Sequence, residues 1–259
     1  MTSNPFAPRG MPALRGLQVL LAACACAAGI AGAAEVRVLS SNAMREVLRE
    51  AAPHFEKTSG HKVSMTFIGS VDILQRLRAG ERSADVIVLQ VSSIDELAAE
   101  GRVAAGSRVD FARSLVGAAV RADATRPDIS SADALTRTLL AAKSIVVSSG
   151  PSGTYMLGLF ERMGIPRDRY LQAKPGVQTG ELVARGEVEL CFQQVSELLP
   201  VKGIQFLGPL PADAGHVTVF AGGIHSAAAD PQAARALMQY LASPALAPVL
   251  KEKGMEPAK

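Results

Sequence analysis

The sequence predicts an α/β protein whose sheets are mostly parallel and covered by helices. Three observations carry this. Short apolar runs alternate with stretches of helical periodicity from Val36 onward. The strand-to-helix junctions are rich in Ser and Gly. The 259 residues are 48% hydrophobic and 20% charged, which supplies a real core and excludes a disordered tail, a collagen-like fibre or a disulfide-stapled mini-domain. A net charge of +3 on this length, with no Lys/Arg run, is no nucleic-acid footprint.

Residues 1–34 carry only two charges, Arg9 and Arg15, ahead of an apolar run from Gly16 to Ile30. That run is short for a bilayer span, which takes about 20 residues. It ends in Ala31-Gly32-Ala33, so residues 1–33 read as a secretory signal cleaved after Ala33 or Ala34, which marks the protein for export. Leu21-Ala22-Ala23-Cys24 also matches a lipobox, but the apolar residues after Cys24 disfavour a lipid anchor there. Cleavage removes Cys24 and Cys26 and leaves Cys191 alone, so no internal disulfide can form. Within Val188–Phe192, Cys191 reads as a buried, inert thiol.

The elements then follow in order. Residues 36–39 form a strand, and Met44, Val47, Leu48, Ala51, Ala52 and Phe55 give 43–55 a helical face closed by Gly60. Residues 63–68 form a strand, and the next helix opens at Gly69-Ser70 and ends at Gly80. Residues 85–89 form a third strand, with a helix from Ser92. Residues 115–120 form a strand at a crossover, and Ser130-Ser131 caps a helix running to Ala142. Then come a strand at 144–147, a Ser/Gly loop at 148–153, a helix at 154–163, a short helix at 179–184 and a strand at 188–192. A strand at 217–220 leads back, followed by helices at 231–241 and 244–253.

Ser40-Ser41-Asn42, Gly69-Ser70, Ser148 to Gly153 and Gln178-Thr179-Gly180 all stand before helices. Helix N-termini present unpaired N–H groups and a positive dipole end, and in open parallel sheets ligands sit at the carboxyl ends of strands. Converging junctions of this kind bind an anion without Arg or Lys.

Several of these segments resemble the periplasmic molybdate-binding proteins. They are Val36 to Asn42, Phe67-Ile68-Gly69-Ser70 with Arg78-Ala79-Gly80, Ala84 to Val88, Pro151 to Tyr155 with Leu159 to Gly164, and Val217 to Ala221. The resemblance implies a two-lobed type II periplasmic-binding-protein fold with the ligand cleft between the lobes. Lobe I would be residues 34–114 plus 220–259, and lobe II residues 115–219. It further implies an exported, monomeric solute-binding protein of the periplasm that closes over a small anion (molybdate, tungstate or an organic acid). The anion would pass to the membrane permease of an ABC transporter, with no cofactor, no protein-ligated metal and no nucleic acid. The expected ligand residues are Ser40, Ser41, Asn42, Gly69, Ser70, Ser149, Ser152, Gly153, Gln178, Thr179, Gln193 and Gln194. Ser70 falls on a ligand serine and Ser152 on a backbone-donor position. The first-loop serine is replaced by Ala43, and a ligand tyrosine by Gln193-Gln194. The added amides suit a larger, asymmetric organic acid.

P-loop, His-Glu-x-x-His and Gly-x-Ser-x-Gly motifs are absent, and His54, His61, His216 and His225 lack metal-ligand spacing. The enzymatic alternative is an isomerase acting on a small tricarboxylic acid, since periplasmic aconitate isomerases are similar to molybdate-binding proteins. Moving a proton between carbons needs a base, for which Asp72 and Glu181 are the candidates.

Overall fold

The structure is a computed structural model and describes Met1 and residues 33–259; the signal and lipobox readings fall outside the described residues. In chain order the first elements are β1 (Glu35–Ser41), α1 (Arg45–Ser59), β2 (Lys62–Ile68), α2 (Ser70–Arg78), β3 (Val86–Gln90), α3 (Val91–Ala99) and β4 (Val109–Arg121). Next come α4 (Ala132–Ala141), β5 (Ile145–Val147), α5 (Pro151–Arg162), β6 (Tyr170–Gln172), α6 (Thr179–Ala184) and β7 (Leu190–Gln194). The last are α7 (Val195–Leu198), β8 (Ile204–Pro209), β9 (Val217–Ile224), α8 (Pro231–Leu241), α9 (Ala247–Glu252) and β10 (Met255–Pro257).

Strands pair in the order β2-β1-β3-β9-β4-β7-β5-β6, with β8 and β10 both on β4. The helix-connected strands are parallel: β1 with β2 and β3, and β5 with β6 and β7. The connecting strands are antiparallel. Residues 109–115 of β4 pair with β9, and residues 116–121 with β7 and β8, so one long strand links two halves.

Each half is covered on both faces, which explains its unbroken apolar strands. Val86 and Val88 face a core under α1 and α8, while Ile87 and Leu89 face another under α2 and α3. In the other half, Leu190 and Phe192 pack with α4 and α5, and Cys191 packs on the opposite face with Val183 and Leu198. Burial pushes the Cys191 thiol up to about 12, so it stays protonated and unreactive.

The sequence-based bounds need several corrections. Asn42–Met44 is a 3-10 turn, and α1 runs from Arg45 to Ser59, ending at Gly60 with φ +77°. Its last turn is polar and carries no periodic signal. Helix α5 starts at Pro151 because proline's fixed φ suits a first turn. Strand β4 begins six residues earlier than expected, and β9 continues to Ile224. The 244–253 helix is a 3-10 turn followed by α9. Elements β6, β8, β10 and α7 are three to six residues long, too short to show a period.

Asp85 locks β1 to β3 and to the segment before α8. It accepts hydrogen bonds from Arg37 N, Nε and Nη2 (each 2.9 Å) and from Ala229 N (2.8 Å). Burial pushes its carboxyl up, but these donors and the Arg37 charge outweigh it and hold the pKa below the usual aspartate value. The stability this gives is present above the ordinary aspartate pKa and is lost as pH falls through the lowered one. Asp85→Ala is expected to cost about 2–3 kcal/mol in urea unfolding at pH 7, with the gap closing in acid.

Candidate functional site

The carboxyl ends of β1, β2, β5 and β7 and the Gly176–Gln178 turn converge on one cleft drawn from both halves. Its walls include Ser41, Asn42, Gly69, Ser70, Ser149, Ser152, Gln178, Gln193 and Gln194, together with Glu197. The cleft is narrow and partly open to solvent, with a free volume of about 30 Å³, room for roughly two waters.

The halves meet closely at Gly69. A Cβ there would lie 2.8 Å from Asp72 Oδ2 and 3.0 Å from Gly176 N, so the approach requires glycine. The long helices α2 and α5 both start at this cleft, at Ser70 and at Pro151-Ser152, and turn the positive ends of their dipoles toward it; in α5 Pro151 carries no N–H and Gly153 N is held by Ser148 Oγ, which leaves Ser152 N for a ligand. The loop before α5 is held by Ser148 Oγ, which lies 2.8 Å from Ser152 Oγ; Ser148 Oγ also accepts from Gly153 N at 3.1 Å. A Cβ on Gly153 would stand 1.6 Å from Ser148 O.

Gln193 organises the floor. Its Oε1 accepts from Thr179 N (2.9 Å) and Thr179 Oγ1 (2.7 Å). Its Nε2 donates to Gln178 Oε1 (2.8 Å) and Glu197 Oε1 (2.9 Å). The Thr179 N–H can only donate, so it fixes which end of the amide faces Glu197. Burial pushes Glu197 up to about 7, against the hydrogen bonds from Gln193 and Gln178 and the charge of Arg45. No Lys or Arg lines the cleft among the described residues.

Among the described residues, two buried cleft atoms have no protein partner: Ser41 Oγ and Gln194 Oε1. Gln194 Nε2 donates to Thr218 Oγ1 at 2.9 Å, tying the cleft to the connecting strand β9.

Other expected site residues lie elsewhere. Ser40 is fully buried and donates to Ser41 O, because alternation along β1 turns it away from the cleft. Gly153 and Thr179 sit behind the wall as supports, their polar groups used by Ser148 and Gln193. Asp72 flanks Gly69 and Gly176 but does not line the cleft, and Glu181 pairs with Arg185 at 3.8 Å in the open. The histidines are spread: His54 and His216 stack on Tyr240 and Tyr155, and His61 and His225 accept backbone N–H groups. The residue that the sequence reading missed is Glu197. Its signal was one more strand-to-helix junction, Gln193-Gln194 before α7, with an acid in the first turn.

The arrangement can hold an anion on helix N-termini and hydroxyls, and it places beside that anion a carboxyl that titrates near neutrality. A group of that kind can give and take protons at physiological pH. Ser70→Ala is expected to weaken anion binding by about 1.5–3 kcal/mol in titration calorimetry, the value of a hydrogen bond to a charged group. Unchanged affinity would remove Ser70 from the site.

Residues 36–256 match the profile of the bacterial extracellular solute-binding proteins, and the chain belongs to that family. It is 40% identical over 228 residues to a protein named aconitate isomerase from a Pseudomonas species, covering 85% of this chain and 87% of the relative. Its fold is similar to the periplasmic molybdate-binding protein of Azotobacter vinelandii (TM-score 0.69, 18% identity, 85% and 98% of the two chains). It is also similar to the tungstate ABC transporter protein of Geobacter sulfurreducens (TM-score 0.65, 16% identity, 84% and 98%). These two likenesses establish the two-lobed type II binding fold. No helix among the described residues is long and apolar enough to cross a membrane.

Proposed function

We propose that this member of the extracellular solute-binding family is a periplasmic isomerase of a small tricarboxylic acid, interconverting the cis and trans forms of aconitate. The observation that carries this reading is Glu197, a carboxyl in the floor of the cleft that burial pushes up to about 7, with no cation lining that cleft among the described residues. An oxyanion trap gains nothing from a carboxylate, which repels its ligand when ionised. An isomerase needs such a group. The 40% identity to an aconitate isomerase along most of both chains supports the same reading.

Aconitate carries a CH₂ group between one carboxylate and the alkene. In the proposed step Glu197 takes a proton from that carbon. The C–H electron pair spreads over the allylic carbons into the adjoining carboxylates. The proton then goes to the former alkene carbon at the far end of the allylic unit. The double bond moves by one position, the molecule keeps its formula, and either geometry can result. Charge grows on carboxylate oxygens, where the N–H groups at the starts of α2 and α5 and the hydroxyls of Ser41, Ser70 and Ser152 stabilise it. Gln193 aims Glu197 and limits how far burial raises its pKa. The 30 Å³ space is too small for aconitate, so in this reading the halves, 34–114 with 220–259 and 115–219, part to admit the acid and close around it for chemistry.

Capture of a small anion for an ABC transporter permease is the second reading, favoured by the Ser-lined helix ends. A thermal-shift panel separates the ligand classes: molybdate, tungstate, sulfate, phosphate, citrate and both aconitates. A ligand at about 100 times its Kd adds about 2.7 kcal/mol, a rise of roughly 5–10 °C for a chain of this size. The aconitates are expected to give that rise and the oxyanions none. A rise with molybdate and tungstate alone would overturn the isomerase reading.

A further inference from the structure

We propose that Arg45 reads one carboxylate of the bound acid and makes the site select tricarboxylates over dicarboxylates; this rests on the isomerase reading. Three negative charges exceed what two helix N-termini, each worth roughly half a charge, can offset. The cleft wall itself holds no cation among the described residues, so the counter-charge must stand just beyond it.

Arg45 meets that requirement. Asn42, Gln178 and Glu197 form a shared wall between the cleft and a neighbouring cavity of about 380 Å³, and Arg45 lines that cavity. Its Nη2 donates to Asn42 Oδ1 at 2.6 Å. Because a guanidinium only donates, this bond sets the Asn42 amide with its Nδ2 free to donate to an anion. The guanidinium carbon lies 5.5 Å from the Phe67 ring centroid, which holds the group in place. Arg45 makes no ion pair among the described residues, whereas Arg185 in the same cavity is paired with Glu181 and Glu187. A partly buried guanidinium with free donors beside Glu197 and Asn42 is suited to bidentate capture of a carboxylate that reaches past Asn42.

The test uses propane-1,2,3-tricarboxylate, which has no double bond to move, with glutarate and methylsuccinate as three-carbon-backbone dicarboxylates. Affinities are measured by calorimetry for the wild type, Arg45→Gln, Arg45→Lys and the control Lys202→Gln, a second cation lining the same cavity but not bonded to Asn42. Arg45→Gln is expected to weaken the tricarboxylate about 10- to 100-fold. The preference over the tighter dicarboxylate should collapse with it, Arg45→Lys should restore part of it, and Lys202→Gln should leave it intact. Equal weakening of all three ligands, or an unchanged preference in Arg45→Gln, would overturn the assignment while leaving the isomerase reading standing. Failure of the wild type to bind any of the acids would instead overturn the reading on which it rests.

Discussion

Glu197→Gln is expected to lower kcat for aconitate isomerisation by about 10²–10⁴-fold, the usual contribution of a positioned general base. Substrate affinity should change little below pH 7 and rise above it, because the neutral amide keeps the size of the side chain, can still accept from Gln193 Nε2 and lacks the charge that repels the acid. In the wild type kcat/KM should rise with pH through about 7 as Glu197 ionises, and that limb should vanish in the variant. The same substitution should stabilise the protein at high pH. The folded pKa of Glu197 is raised above its ordinary value, so its stabilising contribution is present below that ordinary value and is lost as pH rises through 7. Glutamine cannot ionise and escapes the loss, which is no more than about 3 kcal/mol given the water that reaches the cleft. The melting temperature of the variant should therefore exceed the wild type's by several degrees at pH 8 and match it near pH 5. A stabilised, inactive variant is the mark of a residue kept for chemistry at a cost to the fold.

Gly153→Ala is expected to be the most damaging single-methyl change around the cleft, although Gly153 stands behind its wall. The added carbon would stand 1.6 Å from Ser148 O, a backbone atom that cannot swing aside. The 148–152 loop must move, taking with it the Ser148–Ser152 contact and the Ser152 N–H at the start of α5. Overpacking of this kind costs about 1–3 kcal/mol, and here anion binding should fall with it, since one of the two helix ends facing the ligand is displaced. Gly158 is a control in the same helix, where a new Cβ meets only the end of the flexible Arg162 side chain at 3.4 Å. Gly158→Ala should leave binding unchanged and leave stability equal or slightly improved.

The sequence made the site legible wherever chemistry and local structure coincide. Ser70, Ser149, Ser152 and Asn42 stand at strand-to-helix junctions, and that rule led to cleft-lining positions. Glu197 escaped it because α7 spans only Val195–Leu198, too few residues for a helical period to show. Gln193 was read as a ligand contact, yet all four hydrogen-bonding positions of its amide are taken by Thr179, Gln178 and Glu197. That role depends on side chains up to 15 residues apart meeting in space, and no local pattern records it. Asp72 and Glu181 looked like bases because they follow Ser70 and Thr179. Helical rotation carries each of them off the cleft face.

The fold was legible for similar reasons. Alternating apolar strands and amphipathic helices give the parallel segments around β1 and β5 directly. The antiparallel link was harder to see, because β4 pairs with β7, β8, β9 and β10, which lie 70 to 145 residues downstream. Pairing at that separation leaves no mark on the periodicity of the strand itself.

The central claim is that Glu197 makes an anion-binding cleft into a catalyst, and proton NMR of turnover tests it most directly. Cis- and trans-aconitate are incubated separately with wild-type protein and with Glu197→Gln. The account predicts that the wild type brings both samples to the same mixture of isomers, while the variant binds the acids but leaves each sample unchanged. Wild-type protein that binds aconitate and converts neither isomer would contradict it and leave a solute-binding protein in its place.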